Sequence, residues 1–204
     1  MTRPTDHEGA ATTVPAPVAR PAVTTDIALV ATFAALLAVC SITAVSVGTT
    51  PVPITLQTFG VLLAGAVLGA RRGALAVLLY LAVGLAGLPI FAQGVGGVGV
   101  LAKPSVGYLL AFPLAAAIVG TIVERWARRG GASRTALLLG ATLLASVALY
   151  AIGVPVMAWR AGVTVPTAFV WNLIFIPLDA IKAVLAAVVA SAVHRAFPDL
   201  LRNR

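Results

Sequence analysis

The sequence predicts an all-α integral membrane protein of six transmembrane helices, with both termini on the cytoplasmic side. Three observations carry this. Of its 204 residues 60% are hydrophobic and 10% charged, with a mean hydropathy of +1.05, against about 25% charged residues in a soluble domain. The apolar residues gather into runs long enough to cross a bilayer. The basic residues concentrate on alternate connections between those runs.

In chain order, residues 1–25 are rich in Thr, Pro and Ala, with mixed charge and no apolar period, which predicts a disordered cytoplasmic tail and a membrane domain over 26–197. The first crossing is 27–47, uncharged throughout and about 31 Å long as a helix. It is too long for a signal-peptide core and lacks a small-residue cleavage site. Pro51 and Pro53 end it. The second crossing covers 54–70, with Arg71 and Arg72 as its stop, and the third covers 73–90. A glycine-rich loop follows, and the fourth crossing covers 106–123, closed by the charged stretch from Glu124 to Arg129. The fifth covers 135–158 and the sixth 171–194, leaving 198–204 as a second cytoplasmic tail.

Orientation follows from the excess of Lys and Arg in short cytoplasmic loops. Arg71, Arg72, Arg125, Arg128, Arg129, Arg134, Arg195, Arg202 and Arg204 all fall on one side of this plan, against Lys103 and Arg160 on the other. The multi-pass chain is therefore expected in the cytoplasmic membrane of a prokaryote, with the loops at 48–55, 91–105 and 159–170 facing out. The formal charge of +8 is scattered over run ends and not gathered on one face, which argues against nucleic acid as a partner. Cys40, the one cysteine, reads as a small buried hydrophobe.

The chemistry concentrates in the last run. Asp179 and Lys182 stand three residues apart, so on a helix they share a face. Each charged residue at mid-membrane costs roughly 2.5 to 3.5 kcal/mol, which makes a pair there a ligand or ion site by default. A salt bridge that only locks two turns is the plainer alternative. A proline is tolerated at the first helical position, so Pro177 is taken as the helix start, with Asp179 in the first turn near the outer face. A carboxylate accepts N–H donors and an ammonium donates to a carbonyl, so the pair suits an uncharged amide- or urea-like head group.

Other candidates surround this pair. Gln57 and Thr58 either line a pocket or cap the second helix. The loop Gly94-Val95-Gly96-Gly97-Val98-Gly99 formally matches a dinucleotide fingerprint but follows a membrane helix and lacks the distal acid. A tightly turned or mobile outer lid suits it better. Lys103 either holds a ligand carboxylate or is a solvated loop charge. Tyr80 and Tyr108 can stack on or hydrogen-bond a ligand, and Tyr108, like Trp126, Trp159 and Trp171, also suits an interfacial aromatic belt. Ala31, Ala34, Ala35 and Ala38 form overlapping small-x-x-x-small patterns, fit for internal packing or for docking a second membrane protein. No metal cluster, catalytic triad or cofactor motif assembles from the sequence, and neither lysine belongs to a phosphate-binding loop. Uphill movement of a ligand would draw on a partner or an ion gradient.

Three stretches together closely resemble the BioY family, the biotin-binding substrate components of energy-coupling-factor transporters. They are Pro53-Ile54-Thr55-Leu56-Gln57-Thr58-Phe59-Gly60, then Gly87-Leu88-Pro89-Ile90-Phe91-Ala92 with its glycine loop running to Gly107-Tyr108-Leu109, and Pro177-Leu178-Asp179-Ala180-Ile181-Lys182-Ala183. The likeness covers about residues 27–197. It implies a six-helix transporter component, not an enzyme, that holds biotin from the outside, with Asp179 and Lys182 matching the family's Asp-x-x-Lys as the ligand-binding pair. Together with the residues read above, the expected site is Asp179, Lys182, Lys103, Gln57, Phe91, Gln93, Tyr108 and Tyr80. It also implies that the alanine strip meets a transmembrane coupling protein driven by ATP-binding cassette ATPases. Gln93, where a small residue is expected, and Lys103, where the family varies, depart from the pattern. A substrate component for another vitamin, a membrane enzyme using Asp179 and Lys182, and a pure assembly protein are the competing readings.

Overall fold

The computed structural model describes residues 23–46, 52–129, 134–197 and 200; the expected tails at 1–22 and, Leu200 apart, 198–204 lie outside the described residues. The chain forms α1 Val23–Ile42, β1 Ala44–Val45, β2 Ile54–Thr55, α2 Gln57–Leu85, α3 Val106–Arg129, α4 Arg134–Ala161, α5 Val165–Asn172 and α6 Phe175–Ala196. Among the described residues five helices are long and apolar enough to cross a membrane: α1, α2, α3, α4 and α6.

The expected second and third crossings are the two arms of α2. The break falls at Gly69, not at Arg71-Arg72. Gly69 has φ 80° and ψ −176°, a backbone region essentially reserved for glycine. The chain doubles back there: the Gln57 Nε2 donates to the Tyr80 hydroxyl at 2.6 Å, although 23 residues of straight helix would span about 34 Å. Arg71 and Arg72 lie in the first turn of the second arm, where Arg72 pairs with Asp26 of α1. Glu124 of α3 accepts the Ala70 amide at 3.0 Å, so a carboxylate caps the arm's positive end. Glycines let the backbones meet. A Cβ on Gly73 would lie 2.9 Å from the Ala64 carbonyl oxygen, and one on Gly65 2.3 Å from that of Ala116.

Other boundaries shift for local reasons. The first helix starts at Val23, taking in three residues assigned to the tail, and ends at Ile42. Beyond it Ala44 and Val45 pair antiparallel with Thr55 and Ile54, and the Leu56 amide donates to the Cys40 carbonyl at 3.1 Å. The stretches expected as the fourth and fifth crossings lie in the longer α3 and α4, each tolerating an internal proline, Pro113 and Pro155. The expected last crossing divides into α5 and α6. Pro177 is the third residue of α6 and not its first; its missing N–H is among the first four that have no intrahelical partner anyway. Asp179 and Lys182 therefore sit about 3 Å, roughly half a turn, further into the helix than a start at Pro177 would place them.

The buried stripe of α6 reads Asp179, Lys182, Ala183, Ala186, Ala187, Ala190, Ser191 and His194, a helical three-four spacing. Its other face exposes Ile181, Leu185 and Val188, an apolar surface suited to lipid. The stripe's far end meets the first arm of α2, where the His194 Nε2 lies 2.8 Å from the Ala66 carbonyl. The α2 elbow, the start of α1, the end of α3 and the end of α6 thus share one end of the bundle. The charged pair, residues 44–46 and 52–56, and the loops around 86–105 and 162–174 share the other.

Candidate functional site

Burying Asp179 and Lys182, 8% and 7% exposed, demands partners for both. Lys182 Nζ donates to Asp179 Oδ1 at 2.9 Å and to Thr58 Oγ1 at 3.4 Å. Thr58 donates to the same Oδ1 at 2.9 Å, and the Tyr150 hydroxyl donates to Oδ2 at 2.5 Å. An ionised carboxylate offers about four lone-pair sites. Three are filled from within the protein, which leaves one acceptor position on Oδ2. Lys182 keeps one N–H. The pair thus presents a single acceptor beside a single donor, fewer contacts than an unsatisfied pair would offer.

These groups floor a cavity of about 320 Å³, within the range of small-molecule sites. The first arm of α2 contributes Gln57 and Thr58 to its wall, the glycine-rich loop Phe91, Gln93 and Lys103, α3 Tyr108, α4 Tyr150, and α5 with α6 Asn172, Phe175, Asp179 and Lys182. Every candidate ligand residue named from the sequence lines this cavity except Tyr80.

Tyr80 stands behind the wall, 1% exposed. Its hydroxyl accepts from Gln57 and donates to Ser41 Oγ at 2.8 Å, and its ring meets Phe91 edge-on at 5.4 Å. It fixes two lining side chains without reaching the cavity. Phe91 in turn needs Gly84, because a Cβ there would lie 2.3 Å from its ring. Gln57 also accepts from the Thr55 hydroxyl at 3.2 Å, while Thr55 Oγ1 takes the Gln57 amide. Neither Gln57 nor Thr58 caps α2, whose N-cap is Leu56, and both line the wall.

The glycine-rich loop is tightly turned. Gly94 and Gly97 adopt positive φ, as does Gln93 at 66°, and Phe91 and Val95 pair across the turn. The Gln93 Nε2 donates to Ser46 Oγ at 2.9 Å, tying the loop to the residue that follows β1. Tyr108 faces inward: its ring sits where a Cβ on Gly153 would be, and its hydroxyl donates to Asn172 Oδ1 at 2.6 Å. Trp159, 74% exposed and stacked against Arg160 at 4.7 Å, does suit an interfacial belt.

Tyr150, Asn172 and Phe175 were not among the sequence candidates. A signal existed for two of them. Tyr150 is a hydroxyl-bearing aromatic well inside an apolar run, away from an interface. Asn172 is a polar amide in the otherwise apolar stretch that leads to Asp179.

The alanine strip divides. Ala34 is 8% exposed and packs into the core, Ala38 is half-buried, and Ala31 and Ala35 are exposed. Among the described residues no group of His, Cys, Asp and Glu is placed to hold a metal ion.

An apolar helical bundle with a small-molecule cavity at one end, floored by a buried and partly satisfied ion pair, defines a membrane solute-binding protein. The BioY family model matches residues 10–199, and the chain belongs to that family. It is 42% identical over 181 residues to a biotin transporter BioY of Rhizobium etli, covering 87% of this chain and 97% of that one. It is 38% identical to the Rhodobacter capsulatus protein of the same name, covering 88% and 98%. A crystal structure at 2.1 Å, described as the S-component for biotin from an ECF-type ABC transporter, superposes with a TM-score of 0.78 at 26% identity, over 85% of this chain and 92% of that one.

Proposed function

We propose that this protein takes up biotin as the substrate-binding component of an ECF-type transporter. The single observation that carries the reading is the buried Asp179–Lys182 pair, which offers one acceptor and one donor side by side in a cavity of biotin's scale. The ureido head supplies an N–H to Asp179 Oδ2 and its carbonyl to Lys182. Its second N–H has Gln57 or Asn172 within the same wall. The apolar bicycle and tail run past Phe91 and Tyr108, and the carboxylate reaches Lys103 at the loop. Gln93 closes the loop side, and Tyr80 acts from behind through Gln57 and Phe91.

The two arms of α2 count as two of six crossings, with both chain ends on the cytoplasmic side and the cavity facing out; the arginine distribution supports this. Ala31 and Ala35, with Ala38 at their border, are the contact for a transmembrane coupling protein, and ATP-binding cassette ATPases supply the energy. The membrane is the cytoplasmic membrane of a prokaryote.

Uptake tests the reading. Cells lacking a biotin transporter should accumulate labelled biotin when this chain is expressed with an ECF module, and thiamin should not compete. Accumulation of another vitamin in place of biotin would contradict it. The pose has its own test. Lys103→Ala should lower biotin affinity about tenfold, the loss of one charge-assisted contact, and should leave biotin methyl ester affinity unchanged. Equal losses for acid and ester would place the carboxylate elsewhere.

A further inference from the structure

We infer that Tyr150 sets the charge selectivity of the cavity: by donating to Asp179 Oδ2 it holds the site to a neutral head group and against a cationic one. The inference rests on the biotin reading above and concerns a residue that acts through Asp179.

The geometry has three parts. The 2.5 Å bond from Tyr150 is of the short, charge-assisted O–H···O⁻ kind, stronger than a neutral one. It joins α4 to α6 across the cavity and fixes the rotation of the carboxylate, so that the remaining Oδ2 lone pair has one direction. Lys182 and Thr58 share Oδ1 on the other side. Second, Tyr150 is itself held. Its ring meets that of Tyr108 edge-on at 6.2 Å and 84°, and Tyr108 is anchored on Asn172. A side chain that only filled space would need neither the hydroxyl nor its anchor.

Third, the charge is shared out. Lys182 opposes the carboxylate at 2.9 Å, and the Tyr150 hydroxyl draws off further negative charge density on the cavity side. A cationic head would meet a carboxylate already satisfied and an ammonium beside it. Without the hydroxyl, Oδ2 regains a second lone pair and faces the cavity unscreened. A protonated head then gains where a neutral one does not.

The probes are biotin and 2-iminobiotin, whose guanidine-like head is protonated at neutral pH. Equilibrium binding of each to the full chain in lipid nanodiscs at pH 7 gives a preference ratio for wild type and for Tyr150→Phe. The ratio should fall about tenfold in the variant, the size of one charge-assisted hydrogen bond to the carboxylate. A structural role would weaken both ligands by one common factor, and a ratio within twofold of wild type overturns the inference. If the phenylalanine variant is not recovered folded, Tyr150→Met fills the space without a donor and is read the same way. Wild-type protein that binds no biotin refutes the proposed function itself, an outcome distinct from wild type that binds biotin with an unmoved ratio.

Discussion

Asp179→Asn should lower biotin affinity by about two to three orders of magnitude while the protein still folds. The carboxylate is the common acceptor of Lys182, Thr58 and Tyr150. An asparagine keeps the volume but removes the charge and presents an NH₂ to donors that already point at it. Lys182, 7% exposed, is left as an uncompensated ammonium. Removing one partner of a buried pair costs about 3–5 kcal/mol, and each 1.4 kcal/mol is tenfold in affinity. Part of that cost falls on the empty protein, which narrows the effect on binding to the lower end. Titration of labelled biotin into nanodiscs measures it directly. An affinity within threefold of wild type would mean that the pair is a structural lock and that biotin is held elsewhere.

The second large effect is on folding. At Gly120 of α3 a Cβ would lie 2.1 Å from the Ala70 nitrogen and 2.2 Å from the Gly69 carbonyl carbon. Both are backbone atoms of the α2 elbow, whose own conformation is fixed by the positive φ of Gly69 and by the Glu124 cap. Neither side can yield without parting the two helices. Gly120→Ala should therefore lower the thermal midpoint of the purified protein by about 10 °C or prevent its recovery, the upper end of overpacking costs of about 1–3 kcal/mol. Gly140→Ala is the matched comparison, since a Cβ there meets nothing within 4 Å. It should leave the midpoint unchanged or raise it slightly, because alanine is the better helix former. Equal midpoints for the two variants would contradict the close approach of α3 to the elbow.

What the sequence made legible depends on the kind of signal each element carries. Long uncharged runs locate α1, α3 and α4 to within a few residues at most ends, because hydropathy is summed over many positions. The elbow at Gly69 escaped it: a charge pair such as Arg71-Arg72 looks like a stop, whereas the turn is set by one glycine's backbone angles and by contacts from α3 that are remote in sequence. The start of α6 was displaced for a similar reason, since a proline is tolerated throughout the first turn and marks only a range. Asp179 and Lys182 are legible because charge inside an apolar run is costly and so marks either a site or a locking ion pair. Tyr150 carries a weaker signal, a hydroxyl inside an apolar run, and its partner emerges only when α4 packs against α6, 29 positions away. Tyr80 looked like a ligand contact for the same lack of context. Burial at 1% and its bonds to Gln57 and Ser41 assign it to the support of the wall.

The same logic explains why the loop glycines are not a nucleotide fingerprint. They permit the reversals that bring Phe91 onto Gly84 and Lys103 to the cavity mouth. Chain direction, and not phosphate binding, is what the backbone freedom at Gly94 and Gly97 provides.

Equilibrium binding of labelled biotin to the purified wild-type chain in lipid nanodiscs, with thiamin as competitor, tests the central claim most directly. The cavity floored by Asp179 and Lys182 predicts saturable binding that unlabelled biotin displaces and thiamin does not. A folded protein that shows no saturable biotin binding, or that releases biotin to thiamin, would contradict it.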